Sequence, residues 1–220
     1  MTKIFLGGGG SESDSLYLDK RFVSMLDLEK PVFYIPVAMK SRPYSECLEW
    51  FTSIMSPLGV KKIEMITNLE KVNENELNSS CGIYIGGGDT TKLITEIHKS
   101  GFDKRLLSYI NTERPTYGGS AGAIILGADV RTAPESKDLD DITAKGLNVL
   151  SGYSVHAHYD ARKVNIQQLF EKNKQPIIAI SEHTGVYVEN NLLEVIGSED
   201  VKLINNKGIT AIKPGRKVQL

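Results

Sequence analysis

The sequence predicts an α/β fold of three layers: a mostly parallel sheet, helices on both faces, and a small antiparallel addition at the C-terminal end. Three observations carry this expectation. Apolar runs that stop at glycines recur at 4–10, 82–88 and 116–119. Segments with apolar residues at helical spacing stand between and after them, which is the alternation of a parallel sheet. Beyond residue 184 the pattern changes to short β-prone runs separated by Asn and Gly turns, the signature of a meander.

Taken in order, Ile4-Phe5-Leu6 reads as a buried strand entering the loop Gly7–Gly10, with a helix over 15–26. Those glycines lack the Lys-Ser/Thr of a phosphate loop and a following ribose-binding acid, so nucleotide binding is disfavoured. A second strand is predicted over 31–38. A helix over 43–55 follows, its aromatic stripe, with Trp50 at the edge, reading as core packing. A third strand covers 60–66, and 69–77 is a polar helix or loop. The strand from Gly82 ends in Gly86-Gly87-Gly88, and Asp89 or Thr90 caps a helix through Leu93, Ile94 and Ile97. A short helix is expected over 102–110, and 129–141 reads as a solvated acidic loop. The stretch 152–160 is expected to be a strand with His156 and His158 on one face, followed by a helix over 162–170 and a strand over 176–182. Short strands at 185–188, 192–196, 201–204 and 209–212 then form a meander along one edge of the main sheet.

At 220 residues the chain is expected to form one domain, 1–220. A net charge of −1, from 26 basic and 27 acidic residues, leaves no basic stripe for nucleic acid. The two cysteines, Cys47 and Cys81, have no metal or disulfide spacing, which suits a reducing compartment. No stretch resembles a signal peptide or a membrane span, so a cytoplasmic protein is expected.

The chemistry concentrates at Thr116-Tyr-Gly-Gly-Ser-Ala-Gly-Ala123, which puts Ser120 on a strand-to-helix corner. Small neighbours permit strained dihedrals there, and the N–H of Ala121 points where an oxyanion would form. The Gly86–Gly88 strand end can meet this corner beyond the carboxyl edge of the sheet, with the N–H of Gly88 as a second donor. The plainer alternative at both places is a tight glycine turn packed for steric reasons. A serine nucleophile needs a base and an orienting acid. The chain offers His156 or His158 as base, and Glu182, Asp160 or an acid between Glu135 and Asp141 as orienter. The order serine, histidine, acid differs from that of the α/β-hydrolases. A rival of another kind is His156-x-His158-x-Asp160 as metal ligands.

Taken together, Tyr84-Ile-Gly-Gly-Gly-Asp-Thr90, Tyr117-Gly-Gly-Ser-Ala-Gly-Ala123, His158-Tyr159 and Ile180-Ser-Glu-His-Thr184 resemble the dipeptidase E / cyanophycinase family of serine peptidases, peptidase family S51. These are relatives in fold of the flavodoxin-like class I glutamine amidotransferases. The resemblance implies Ser120 as nucleophile, His158 as general base and acid, Glu182 as orienting carboxylate, and the N–H groups of Gly88 and Ala121 as oxyanion hole. It implies a small peptide as substrate and no cofactor or metal. An acidic first residue of the substrate would be met by Arg162 or Lys163, and its α-amino group by Asp89 or Thr90. Two other functions fit the same residues: a catalytically silent peptide-binding module, and an amidase or acyl-transfer enzyme.

Overall fold

The computed structural model describes residues 2–220. An eight-stranded sheet forms the centre, in the order β12-β9-β8-β1-β5-β4-β2-β3. Its strands are β1 (Lys3–Gly7), β2 (Val32–Ile35), β3 (Ile63–Met65), β4 (Gly82–Ile85), β5 (Thr116–Gly119), β8 (Thr184–Glu189), β9 (Leu192–Gly197) and β12 (Lys217–Gln219). The five strands from β1 to β3 run parallel, and β8, β9 and β12 continue the sheet antiparallel from β1. Helices α1 (Glu12–Val23) and α2 (Tyr44–Met55) cover one face, and α4 (Thr90–Lys99), α5 (Phe102–Ile110) and α6 (Ala121–Leu126) the other, with the six-residue α3 (Glu74–Ser79) leading into β4.

The period of two along the strands sorts the core. In β1, Phe5 faces α1 and α2, while Ile4 and Leu6 face the opposite layer. The first layer is aromatic: Tyr84 stacks on Tyr117 with centroids 4.3 Å apart, and Phe22 meets Tyr117 edge-on at 5.4 Å.

A second sheet, β11-β10-β7-β6, departs from expectation. It contains β6 (Ser154–His156), β7 (Ile177–Ala179), β10 (Val201–Asn205) and β11 (Gly208–Ile212). The predicted meander therefore divides. β8 and β9 join through a turn at Asn190-Asn191, both left-handed at φ 52° and 64°, and extend the main sheet. The β10-β11 hairpin instead pairs with β7. Burial explains the division: Val155, Ile178 and Leu203 turn inward onto the core above α6, while Ile177, Ala179 and Ile204 turn outward beneath α7 (Ile166–Asn173). Strand β7, Ile-Ile-Ala, is apolar on both faces and needs cover on both.

Three further expectations are corrected. Helix α1 starts at Glu12, because the Asp14 carboxylate accepts the Ser11 N–H at 2.7 Å and closes the first turn early. Helix α7 starts only at Ile166, capped by Asn165, whose side chain accepts the Gln168 N–H at 3.1 Å. The segment 129–141 is solvated only in its second half. Val130, Thr132, Ala133 and Ser136 are buried, and the Arg131 guanidinium forks onto Asp129 and so neutralises the nearly buried carboxylate.

Candidate active site

Strand β5 delivers Ser120 to the carboxyl edge of the sheet, and glycines let α6 fold back at once. A Cβ on Gly118 would come 2.3 Å from the Gly122 carbonyl oxygen, and one on Gly122 would come 2.2 Å from that of Ile85. Ser120 takes up the remaining strain at φ 51°, ψ −111°, a backbone state rare for a residue with a side chain. Its N–H donates to Gly7 O at 3.1 Å, which fixes the corner against β1.

His158 arrives from the second sheet. Strand β6 ends at His156, and His158 is left-handed at φ 54° with its N–H donating to Gly8 O at 2.8 Å. The two histidines therefore do not share a strand face. His156 is buried, its Nδ1 lies 3.0 Å from Thr132 O, and burial lowers its pKa. His158 instead reaches Ser120, with Nε2 2.7 Å from Oγ, and its Nδ1 lies 2.7 Å from Glu182 Oε1. Glu182 sits in the turn after β7, where the Tyr159 N–H bonds Ile180 O at 3.0 Å and ties the two loops together.

The loop Gly7–Gly10 has a role that the sequence did not disclose. It packs against the imidazole and the carboxylate side chain. A Cβ on Gly8 would come 1.8 Å from Ser181 O, one on Gly9 2.1 Å from His158 Cε1, and one on Gly10 2.9 Å from Glu182 Cβ. Side-chain-free backbone is what lets serine, imidazole and carboxylate close into one line.

The remaining candidates fall into distinct places. A Cβ on Gly87 would lie 3.2 Å from Ser120 Cβ, so this loop borders the serine. Gly88 follows at φ 138°, pressed onto the Ala38 carbonyl. Among the described residues, the N–H groups of Gly87, Gly88 and Ala121 make no hydrogen bond. Asp89 caps α4 through the Lys92 N–H at 2.7 Å and pairs with Lys40 at 2.6 Å. Partial burial opposes its charge, but the Lys40 ammonium and the Lys92 N–H together hold its carboxyl below the usual range. Thr90 is 1% exposed, and its N–H donates to Glu135 Oε1 at 3.0 Å. Arg162 is 87% exposed and forks onto Asp160 at 3.0 and 2.9 Å, which lowers that carboxyl to about 2. Lys163 also leans on Asp160, at 3.7 Å. His156, His158 and Asp160 thus face three separate partners and do not gather as a metal site. Neither do Glu135 and Asp141 approach His158: they bond Thr90 and Arg131.

Two cavities flank the serine–histidine contact. One of about 680 Å³ is lined by His158, Glu182, Arg162 and Lys202 among others. The other, about 110 Å³, touches Ser120 and is walled by Trp50, Tyr84 and Tyr117. Trp50 therefore borders the site as well as the core. Its place at the polar edge of the α2 stripe was the signal for this.

An α/β fold with a strained serine at a strand–helix corner, hydrogen-bonded to an imidazole held by a carboxylate, has the build of a serine hydrolase. The chain belongs to peptidase family S51, whose family model matches residues 4–196. It is similar to the peptidase E of Actinobacillus pleuropneumoniae serotype 7 (20% identity, covering 81% of this chain and 80% of that protein) and of Shewanella oneidensis (24%, 80% and 78%). An uncharacterized peptidase of Listeria monocytogenes is 26% identical over 72% of this chain and 82% of its own. In fold, it matches the crystal structure of a peptidase from an acI-B1 actinobacterium with a TM-score of 0.78 (15% identity, covering 100% of this chain and 97% of that one). A Listeria monocytogenes EGD-e crystal structure matches with a TM-score of 0.69 (22%, 89% and 98%). The protein is thus a peptidase of a serine hydrolase family. Among the described residues, no helix is long and apolar enough to cross a membrane.

Proposed function

We propose that the chain is a serine-type exopeptidase that cleaves short peptides through a Ser120–His158–Glu182 triad and an acyl-enzyme. The observation that carries this reading is the unbroken line of two 2.7 Å contacts from Ser120 Oγ through the imidazole to Glu182. Imidazole Nε2 takes the hydroxyl proton as Oγ adds to the scissile carbonyl, then gives it to the departing amine. Glu182 fixes the tautomer and balances the imidazolium. The free N–H groups of Gly88 and Ala121 receive the oxyanion. A water activated by His158 then hydrolyses the ester.

Action from the N-terminus is supported by Asp89, whose partner Lys40 is exposed and can yield to a substrate ammonium. Thr90 contributes through its place in the same turn. An acidic first residue would have to open the Arg162–Asp160 pair to be bound. The two free, buried cysteines support a cytoplasmic setting, and we take residues 1–220 as one catalytic domain.

Intact-protein mass spectrometry after fluorophosphonate treatment tests the mechanism. One adduct on Ser120, absent in Ser120→Ala and reduced in His158→Ala, is expected. An unlabelled protein that still hydrolyses peptides would remove Ser120 from the reaction, and a labelled protein that releases ammonia from glutamine but cleaves no peptide would make it an amidase.

A further inference from the structure

Glu182 has few attachments of its own. Among the described residues, its backbone N–H and C=O make no hydrogen bond, and its carboxylate makes one, to His158 Nδ1. The side chain is 49% exposed, so packing does not fix it either. What aims this carboxylate must come from its neighbours.

The next residue in the chain is anchored. His183 Nδ1 lies 2.6 Å from Asp14 Oδ1, a contact that ties the Glu182 turn to the first turn of α1. Asp14 is itself held in place, because its Oδ2 accepts the Ser11 N–H at 2.7 Å and the Ser11 hydroxyl at 2.8 Å. These two donors, and after them the His183 imidazole, hold the Asp14 carboxyl below its usual range. An ionised carboxylate only accepts, so the proton of this contact sits on His183 Nδ1. The arrangement closes around Gly10: a Cβ there would come 2.6 Å from Asp14 Oδ2 and 2.9 Å from Glu182 Cβ. Asp14 and Glu182 thus press on the same glycine, and His183 joins them from outside. Among the described residues, neither Asp14 nor His183 bonds Ser120 or His158.

We propose that Asp14 and His183 form a positioning pair, which clamps the Glu182 turn onto the Gly7–Gly10 loop and so aims the carboxylate at His158. The proposal rests on the Ser120–His158–Glu182 reading. Without the clamp, a half-exposed carboxylate on a residue with no backbone hydrogen bond turns toward water. The imidazole then loses its partner at the moment it takes the serine proton.

The rate of fluorophosphonate labelling of Ser120, followed by intact-protein mass spectrometry at pH 7.5, reads this without a peptide substrate. His183→Ala should slow labelling by about tenfold to a hundredfold, with a folded circular dichroism spectrum. His183→Asn should label close to the parent rate, because its amide N–H stands where Nδ1–H stood and still donates to Asp14. In a Glu182→Gln background, His183→Ala should change nothing further, since a pair that acts through the carboxylate has nothing left to aim. Parent-rate labelling of His183→Ala, no recovery in His183→Asn, or an equal further loss in the Glu182→Gln background would overturn the proposal. Glu182→Gln labelled at the parent rate, or a parent protein that is not labelled, would overturn the triad itself and the pair with it, and the single Glu182 variant tells the two failures apart.

Discussion

Gly9 lies against the His158 ring so closely that a Cβ atom would sit 2.1 Å from Cε1. Gly9 is also left-handed, at φ 100°. Gly9→Ala is therefore expected to push the imidazole off Ser120. A displacement of about 1 Å costs on the order of 10²-fold in rate. Steady-state kinetics should show the loss in kcat, with a folded circular dichroism spectrum.

Glu182→Gln keeps the shape beside His158 Nδ1 but removes the charge, and its amide can present the wrong partner to the ring. A fall in kcat of about 10² to 10⁴ is expected, with KM changed little. Glu182 is exposed, so the melting temperature should stay within a degree or two of the parent's, on the order of what surface substitutions cause. Parent-like kcat would reduce Glu182 to a bystander.

Asp19 sets a pH dependence of stability. Its carboxyl is raised from 3.8 to about 6 by burial, so the folded chain holds this proton more tightly than the unfolded chain. Ionisation therefore destabilises the fold: the penalty is absent below pH 3.8, grows as pH rises to about 6, and is constant above. Asp19→Asn should raise stability at pH 8 by up to about 3 kcal/mol, with the gain vanishing near pH 4. Urea titrations at the two pH values check this. A gain of equal size at both would show that charge is not the cause.

Gly118→Ala forces a methyl group into the backbone of α6 at Gly122. Overpacking of this kind costs about 1–3 kcal/mol. Thermal melts should show the loss, and activity should fall further than stability because the same contact seats Ser120.

The serine corner was legible in the sequence because its cause is local: a strand, glycines and a helix in one short run. The choice between His156 and His158 was not legible from periodicity. Strand β6 ends between them, and the left-handed turn at His158 is imposed by Gly8 and Ile180, residues distant in sequence. The second sheet was hidden for the same reason, since β6, β7 and β10 find one another across long connections. The early start of α1 was legible after all, in the Ser11-x-x-Asp14 spacing that satisfies its first turn. The role of Gly7–Gly10 needed the structure, because a glycine loop looks alike in sequence whether it meets a phosphate or an imidazole and a carboxylate.

Ser120 follows β5 of the eight-stranded sheet, His158 follows β6 of the four-stranded one, and Glu182 lies in the segment that joins β7 of the second sheet to β8 of the first. The carboxylate thus stands on the seam, and the Gly8 backbone stitches it shut, accepting the His158 N–H and donating its own to Thr184 O at the start of β8. Loosening that stitch would part the imidazole from the serine without unfolding either sheet.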